Sequence, residues 1–207
     1  RINHVLFTGS VSGGREVKKA IGTRFIGAGL ELGGKDPSYV RSDCNFEHAI
    51  ENLVDGSYFN SGQSCCGIER IYVDESIFTN VVDAFKAQTE KYTLDNPLND
   101  STNLGPVVKL SAANNIRNQV AKAINEGAKN IIDGSKFKKD NSENCYVSPS
   151  ALINVNHKME FMMEETFGPT VGIMKVKNEK DAEDLMNDSA YGLTASIWTS
   201  DKEFAAN

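Results

Sequence analysis

The sequence is short of the residues from which several kinds of site are built. Its three histidines, His4, His48 and His157, are scattered, and none sits where a serine or cysteine hydrolase needs its base. Its four cysteines, Cys44, Cys65, Cys66 and Cys145, contain no C-x-x-C pair and no disulfide-framework spacing. Adjacent Cys65 and Cys66 cannot bridge without strain, nor splay into a tetrahedron round zinc. Reduced thiols, no metal, and a cytoplasmic or organelle-matrix setting are therefore expected. No apolar run approaches the ~18–20 residues of a membrane span. Nothing at Arg1-Ile2-Asn3 has the pattern of a signal peptide. The first residue is not methionine, so Arg1 is expected not to be the natural start. Positive charge is also scarce: 22 Lys and Arg against 28 Asp and Glu leave a net charge of −6. That balance argues against nucleic acid or an anionic membrane as a partner. A serine-hydrolase elbow is absent too, because Gly62-Gln63-Ser64-Cys65-Cys66-Gly67 brings its second glycine one residue too late for G-x-S-x-G.

What is present is an ordinary globular composition, 40% hydrophobic and 24% charged, in 207 residues, enough for one large domain or parts of two. Ile2 to Phe7 reads as a buried strand. It breaks at Thr8-Gly9-Ser10, after which Ser10 or Ser12 caps a helix running to a stop at Gly22. Such a strand–glycine–helix transition offers free N–H groups and the positive end of a helix dipole, a seat for a phosphate, although the pattern is not G-x-G-x-x-G. Arg24 to Leu32 reads as a second strand, with Lys35-Asp36-Pro37 as a turn beyond it. A new element starts at Ser38-Tyr39-Val40, and the change of domain is placed after Gly34.

Phe46, Ala49, Ile50, Leu53 and Val54 recur at helical spacing behind a cap at Asp43 or Asn45. Glu69 to Val73 is a strand, Ile77 to Tyr92 a helix, and Ala113 to Ile124 a helical stripe ended at Gly127. Lys129 to Asp133, Tyr146-Val147 and Ala151 to Ile153 have strand composition, with a solvated loop expected over Ser135 to Asn144. Met159 to Met163 makes a short amphipathic turn. Thr170 to Val176 is a strand, Asp181 to Met186 a helix and Thr194 to Thr199 a last strand. This alternation predicts an α/β fold with a mainly parallel sheet.

Two stretches carry chemistry. Phe59-Asn60-Ser61-Gly62-Gln63-Ser64-Cys65-Cys66 is a polar turn between a helix and a strand, which favours an exposed, nucleophilic thiolate. Cys66 is the alternative nucleophile. Upstream, Glu31 is a lone carboxylate in the apolar, glycine-rich Leu30-Glu31-Leu32-Gly33-Gly34. Desolvation there would raise its pKa towards the range of a general base. The plainer alternatives are a surface carboxylate or a partner for Lys35, itself read as an exposed charge. Cysteine and isolated carboxylate together suggest acyl chemistry through a thioester.

Glu31-Leu32-Gly33-Gly34-Lys35, Gly62-Gln63-Ser64-Cys65, Phe7-Thr8-Gly9-Ser10 and Glu164-Glu165-Thr166-Phe167-Gly168-Pro169 stand in an order and spacing that resemble the aldehyde dehydrogenase superfamily. The resemblance implies a twisted, mainly parallel sheet with flanking helices. Residues 1–34 would be the end of a dinucleotide-binding domain, and residues 35–207 a Rossmann-like catalytic domain truncated at its C-terminal end. It implies oxidation of an aldehyde with NAD or NADP, Cys65 as nucleophile and Glu31 as the base that activates water. Ser64 and Cys66 would shape the substrate pocket. Gly9, Ser10 and Leu32 would meet the cofactor, Glu165 its nicotinamide ribose and Phe167 the nicotinamide itself. The family's oxyanion asparagine and its adenine-ribose lysine would lie outside the sequence, so the 207-residue piece alone is expected to be inactive. A homo-oligomer, dimer or tetramer, is what the resemblance implies for the intact protein. Two other readings remain: a non-catalytic protein that keeps the fold, and ester or thioester hydrolysis by the same cysteine without a cofactor.

Overall fold

The computed structural model describes residues 2–206. The chain opens with β1 (His4–Thr8), α1 (Val11–Ile21) and β2 (Gly27–Glu31), the strands pairing in parallel as a two-stranded sheet. Ser10 caps α1, its hydroxyl accepting the Gly13 N–H at 3.1 Å, and Gly22 ends the helix. The expected burial of the first strand is not found. Leu6 is 82% exposed. With one partner strand and one helix, β1 can cover only alternate side chains, so its residues alternate between exposed and half-buried.

The rest forms around a six-stranded sheet of order β5-β6-β7-β4-β3-β8. Its strands are β3 (Asp36–Val40), β4 (Ile68–Asp74), β5 (Lys129–Asn130), β6 (Ser150–Ile153), β7 (Thr170–Val176) and β8 (Ser196–Trp198). All neighbours are parallel except β5, which runs antiparallel to β6. The mainly parallel α/β sheet expected from the alternation of elements is thus present. Strand period sorts side chains onto the two faces. Val40, Ile71, Val73, Val171 and Ile173 meet α2 (Phe46–Tyr58) and α3 (Phe78–Thr89). Tyr39, Tyr72, Leu152 and Val176 meet residues of α4 (Leu110–Asn125), α5 (Glu160–Met163) and α6 (Glu179–Asn187). Asn45, not Asp43, caps α2, its side chain accepting the His48 N–H. A final short helix, α7 (Lys202–Ala206), follows β8. Among the described residues no helix is long and apolar enough to cross a membrane.

Several local expectations are corrected. Asp36 and Pro37 do not form a turn; they begin β3, with an irregular register between them, where a residue lacking an N–H is tolerated. Tyr146-Val147 is not a strand. Val147 is buried instead against Ala113 and Ile116 of α4. The segment from Ser135 to Asn144 is more than a solvated loop: Phe137 is buried, and Asp140 holds Arg117 of α4 at 2.8 Å. These contacts join distant parts of the chain, so no local pattern announces them.

Candidate active site

The cysteine stretch turns sharply over Phe59–Gly62, with three consecutive left-handed residues, Asn60 (φ 51°), Ser61 (φ 56°) and Gly62 (φ 71°). Such a run is unfavourable for non-glycine residues and persists only where its surroundings over-determine it. Here they do. The Asn60 amide donates to the Gln63 carbonyl at 3.0 Å, and the Ser61 hydroxyl to the Gly105 carbonyl at 2.9 Å. The Gln63 side chain donates back to the Asn60 carbonyl (3.1 Å) while accepting the Val108 N–H (2.8 Å). Cys65 and Cys66 follow directly, both exposed, and the Ser64 hydroxyl lies 3.3 Å from the Cys66 sulfur. The thiol therefore presents itself from a braced turn, backed by the central strand β4.

Glu31 ends β2, and its carbonyl accepts the Gly9 N–H at 3.0 Å, tying the first glycine turn to the candidate base. Its side chain is exposed, so the enclosure expected for it is absent from this chain. The cause is its position at the open end of a two-stranded sheet. Leu32 packs on α1 at Gly14, where a Cβ would come within 2.7 Å of the leucine methyl.

The next two glycines are contact points. A Cβ on Gly33 would lie 2.1 Å from Glu165 Oε2, and one on Gly34 would lie 2.5 Å from the Cys65 carbonyl oxygen. The stretch after Glu31 thus touches the cysteine turn on one side and the Glu165 carboxylate on the other, which only a residue without a side chain permits. Glu165 also accepts the Gly34 N–H at 3.2 Å. Burial holds its pKa above the ordinary carboxylate value, opposed by that N–H and aided by the nearby Glu69.

Ser10 and Glu165, far apart in sequence, line a single cavity of about 400 Å³ together with Ser12, Arg15 and Tyr191. One wall is the N-terminus of α1, whose first N–H groups have no helical partner and carry the positive end of the helix dipole. The other is a half-buried carboxylate. Phosphate oxygens suit the first and a hydroxylated sugar the second, so the residues present fit a dinucleotide. Phe167, with φ 52° and 40% exposure, stands two residues beyond Glu165. A larger cavity of about 800 Å³ lies between β3 and α6, with Asp36, Arg70 and Phe204 among its walls; neither Cys65 nor Glu31 lines it.

Two groups escaped the sequence reading. Lys35, taken for an exposed charge, is 1% exposed and 2.5 Å from Glu69, itself 4% exposed. Arg70 is equally buried; it donates to the Lys35 carbonyl at 2.8 Å and to the Leu185 and Met186 carbonyls at the end of α6. The available signal was Glu69-Arg70 inside the apolar strand Ile68 to Val73, since charges in a central strand require partners.

The structure combines a mainly parallel α/β sheet, an exposed cysteine on a braced turn and a cavity lined by Ser10 and Glu165. The sequence model of the aldehyde dehydrogenase family matches residues 1–207. The chain belongs to that family. It is 34% identical over 204 residues to 3-sulfolactaldehyde dehydrogenase of Priestia megaterium, covering 99% of this chain and 41% of that protein. Betaine aldehyde dehydrogenase of Staphylococcus aureus, solved with NAD+, superposes with a TM-score of 0.91 at 30% identity, over 99% of this chain and 41% of its own. Glyceraldehyde-3-phosphate dehydrogenase of Methanocaldococcus jannaschii, solved with NADP, gives 0.91 at 31% identity, over 99% and 43%. The chain therefore spans about two-fifths of the length of the relatives it matches.

Proposed function

We propose that the full-length protein carrying this chain oxidises an aldehyde to a carboxylic acid with NAD or NADP, through Cys65. The observation that carries this reading is the convergence on Gly33-Gly34, which touch both the Cys65 backbone and the Glu165 carboxylate. In this reading the Cys65 thiolate adds to the aldehyde carbon to give a thiohemiacetal, with the Cys65 N–H as one donor to the developing oxyanion. The bound nicotinamide supplies the acceptor for the hydride that leaves this carbon. Glu31 takes a proton from the water that then hydrolyses the Cys65 thioester, freeing the acid and restoring the thiol. Ser10, with Gly9 before it, sits at the helix end suited to the phosphates, and Leu32 braces that helix through Gly14. Glu165 accepts from ribose hydroxyls, while Phe167 flanks the nicotinamide. Ser64 and Cys66 border the aldehyde.

The test is cofactor reduction by the purified full-length protein across a panel of aldehydes, with NAD+ and NADP+ offered separately. Cys65→Ser should abolish it. Glu31→Gln should retain acylation of Cys65 yet slow release of the acid by ~10²–10⁴-fold, the usual worth of a general base. Undiminished turnover by the Cys65→Ser variant would remove the reading.

A further inference from the structure

Glu69 lies in the second position of β4, four residues after Cys65, and is buried. Both its carboxylate oxygens accept the Thr166 N–H, at 2.9 and 3.1 Å, and one accepts the Phe167 N–H at 3.0 Å. The other faces the Lys35 ammonium at 2.5 Å. One side chain therefore joins the cysteine strand, the Glu165–Phe167 turn and the residue that follows Gly33-Gly34. Phe167 occupies the left-handed region, which a phenylalanine does not adopt unless held. The bond from its N–H to Glu69 is such a hold. An apolar pair of similar volume generally serves stability as well as a buried ion pair does. What it cannot do is accept hydrogen bonds from the Thr166 and Phe167 amides.

We propose that Glu69 is a positioning residue for the reaction: through those amides it sets the Glu165 carboxylate and the Phe167 ring against the cofactor cavity, while Lys35 neutralises it from the glycine side. Rotation of the turn would move both groups, while the hydrogen bonds of Asn60, Ser61 and Gln63 hold the cysteine turn independently of Glu69. The inference rests on the cofactor-dependent reading above.

The experiment compares two charge-free variants of the full-length protein, Lys35→Met with Glu69→Leu and Lys35→Met with Glu69→Gln. Both lack the ion pair, but only the second keeps an oxygen for the amides. KM for NAD(P) and the cofactor-free hydrolysis of p-nitrophenyl acetate by Cys65 are measured for each. The leucine variant should show cofactor KM raised about tenfold or more, as expected for lost orientation, with ester turnover within about twofold of wild type. The glutamine variant should recover cofactor KM to within about threefold. Equal cofactor KM in the two variants, or ester turnover falling in step with aldehyde oxidation, would overturn the proposal. If the leucine variant does not fold, Glu69→Asp replaces it, keeping the charge but withdrawing it from the amides, and the same rise is expected. A wild-type protein unable to couple aldehyde to cofactor reduction would instead sink the functional reading, so the two failures are distinct.

Discussion

Gly62 stands directly against the backbone of Gly168: a Cβ on it would lie 1.9 Å from the Gly168 carbonyl oxygen. That contact presses the cysteine turn onto the turn bearing Glu165 and Phe167. Gly62 also has φ 71°, which side-chain-bearing residues avoid. Gly62→Ala therefore meets both strain and a clash with backbone that cannot rotate away. We expect a loss of about 2–4 kcal/mol, combining left-handed strain with overpacking, read from the urea midpoint. A loss below about 1 kcal/mol would mean that the turns separate at little cost.

The pair of Lys35 and Glu69 predicts a sharp asymmetry between single and double substitutions. Burial lowers the Lys35 pKa against the attraction of Glu69. Glu69→Ala leaves that ammonium buried without its partner and should cost about 3–5 kcal/mol. Lys35→Met with Glu69→Gln removes the orphaned charge yet keeps an acceptor for the Thr166 and Phe167 amides, and should recover most of the loss. Equal destabilisation by single and double variants in chemical denaturation would show that the charges do not compensate one another.

Much of this was legible in the sequence, for definite reasons. Val171 and Ile173 sit in a strand buried on both faces for most of its length, so β7 shows as a largely apolar run broken by Lys175, and its bounds are those expected. Ser10 and Gly22 mark the ends of α1 because caps are local chemistry. Cys65 and Glu165 are singled out in the sequence by motif order. Their meeting at Gly33-Gly34 is a relation between segments that no local pattern carries. Lys35 failed for the same reason: a lysine after two glycines looks like surface until Glu69 comes across from β4. The exposure of Leu6 is the reverse error, since an apolar run was read as buried where a two-stranded sheet covers only part of it.

Glu165 gives a pH prediction with a definite sign. Its pKa is raised in the folded chain, with burial the largest cause. Between the ordinary value of 4.5 and its raised folded value, the folded chain keeps a proton that the unfolded chain has released. Rising pH across that window therefore favours unfolding. Glu165→Gln lacks the titration, so its advantage over wild type should grow from pH 4.5 upward and level off beyond the folded value. Asp36, also raised by burial, titrates in both proteins, and its charge is one of the causes that raise Glu165. A difference independent of pH in urea midpoints would contradict the assignment.

The 207-residue chain by itself should give no aldehyde-dependent NAD(P)H. Glu31 is exposed here, and a general base gains its tuned strength from an enclosed surrounding. Robust formation of reduced cofactor by this chain with cofactor and aldehyde, lost in Cys65→Ser, would show that the described residues suffice.

Thiol chemistry separates the four cysteines without any cofactor. Cys65 and Cys66 are exposed, whereas Cys44 and Cys145 are half-buried. Burial pushes the Cys44 thiol pKa up, and the neighbouring Asp43 adds to it. Alkylation proceeds through the thiolate, so access and pKa act together on Cys44. Brief treatment of the native chain with iodoacetamide should label Cys65 and Cys66 first and Cys44 far more slowly, as read by peptide mass spectrometry. Denaturation should bring Cys44 level with the rest. Fast native labelling of Cys44 would mean that the α2 side of the sheet opens readily. Fast labelling of Cys66 with a protected Cys65 would move the nucleophile assignment by one residue, and the Ser64 hydroxyl beside the Cys66 sulfur would then become its nearest polar partner.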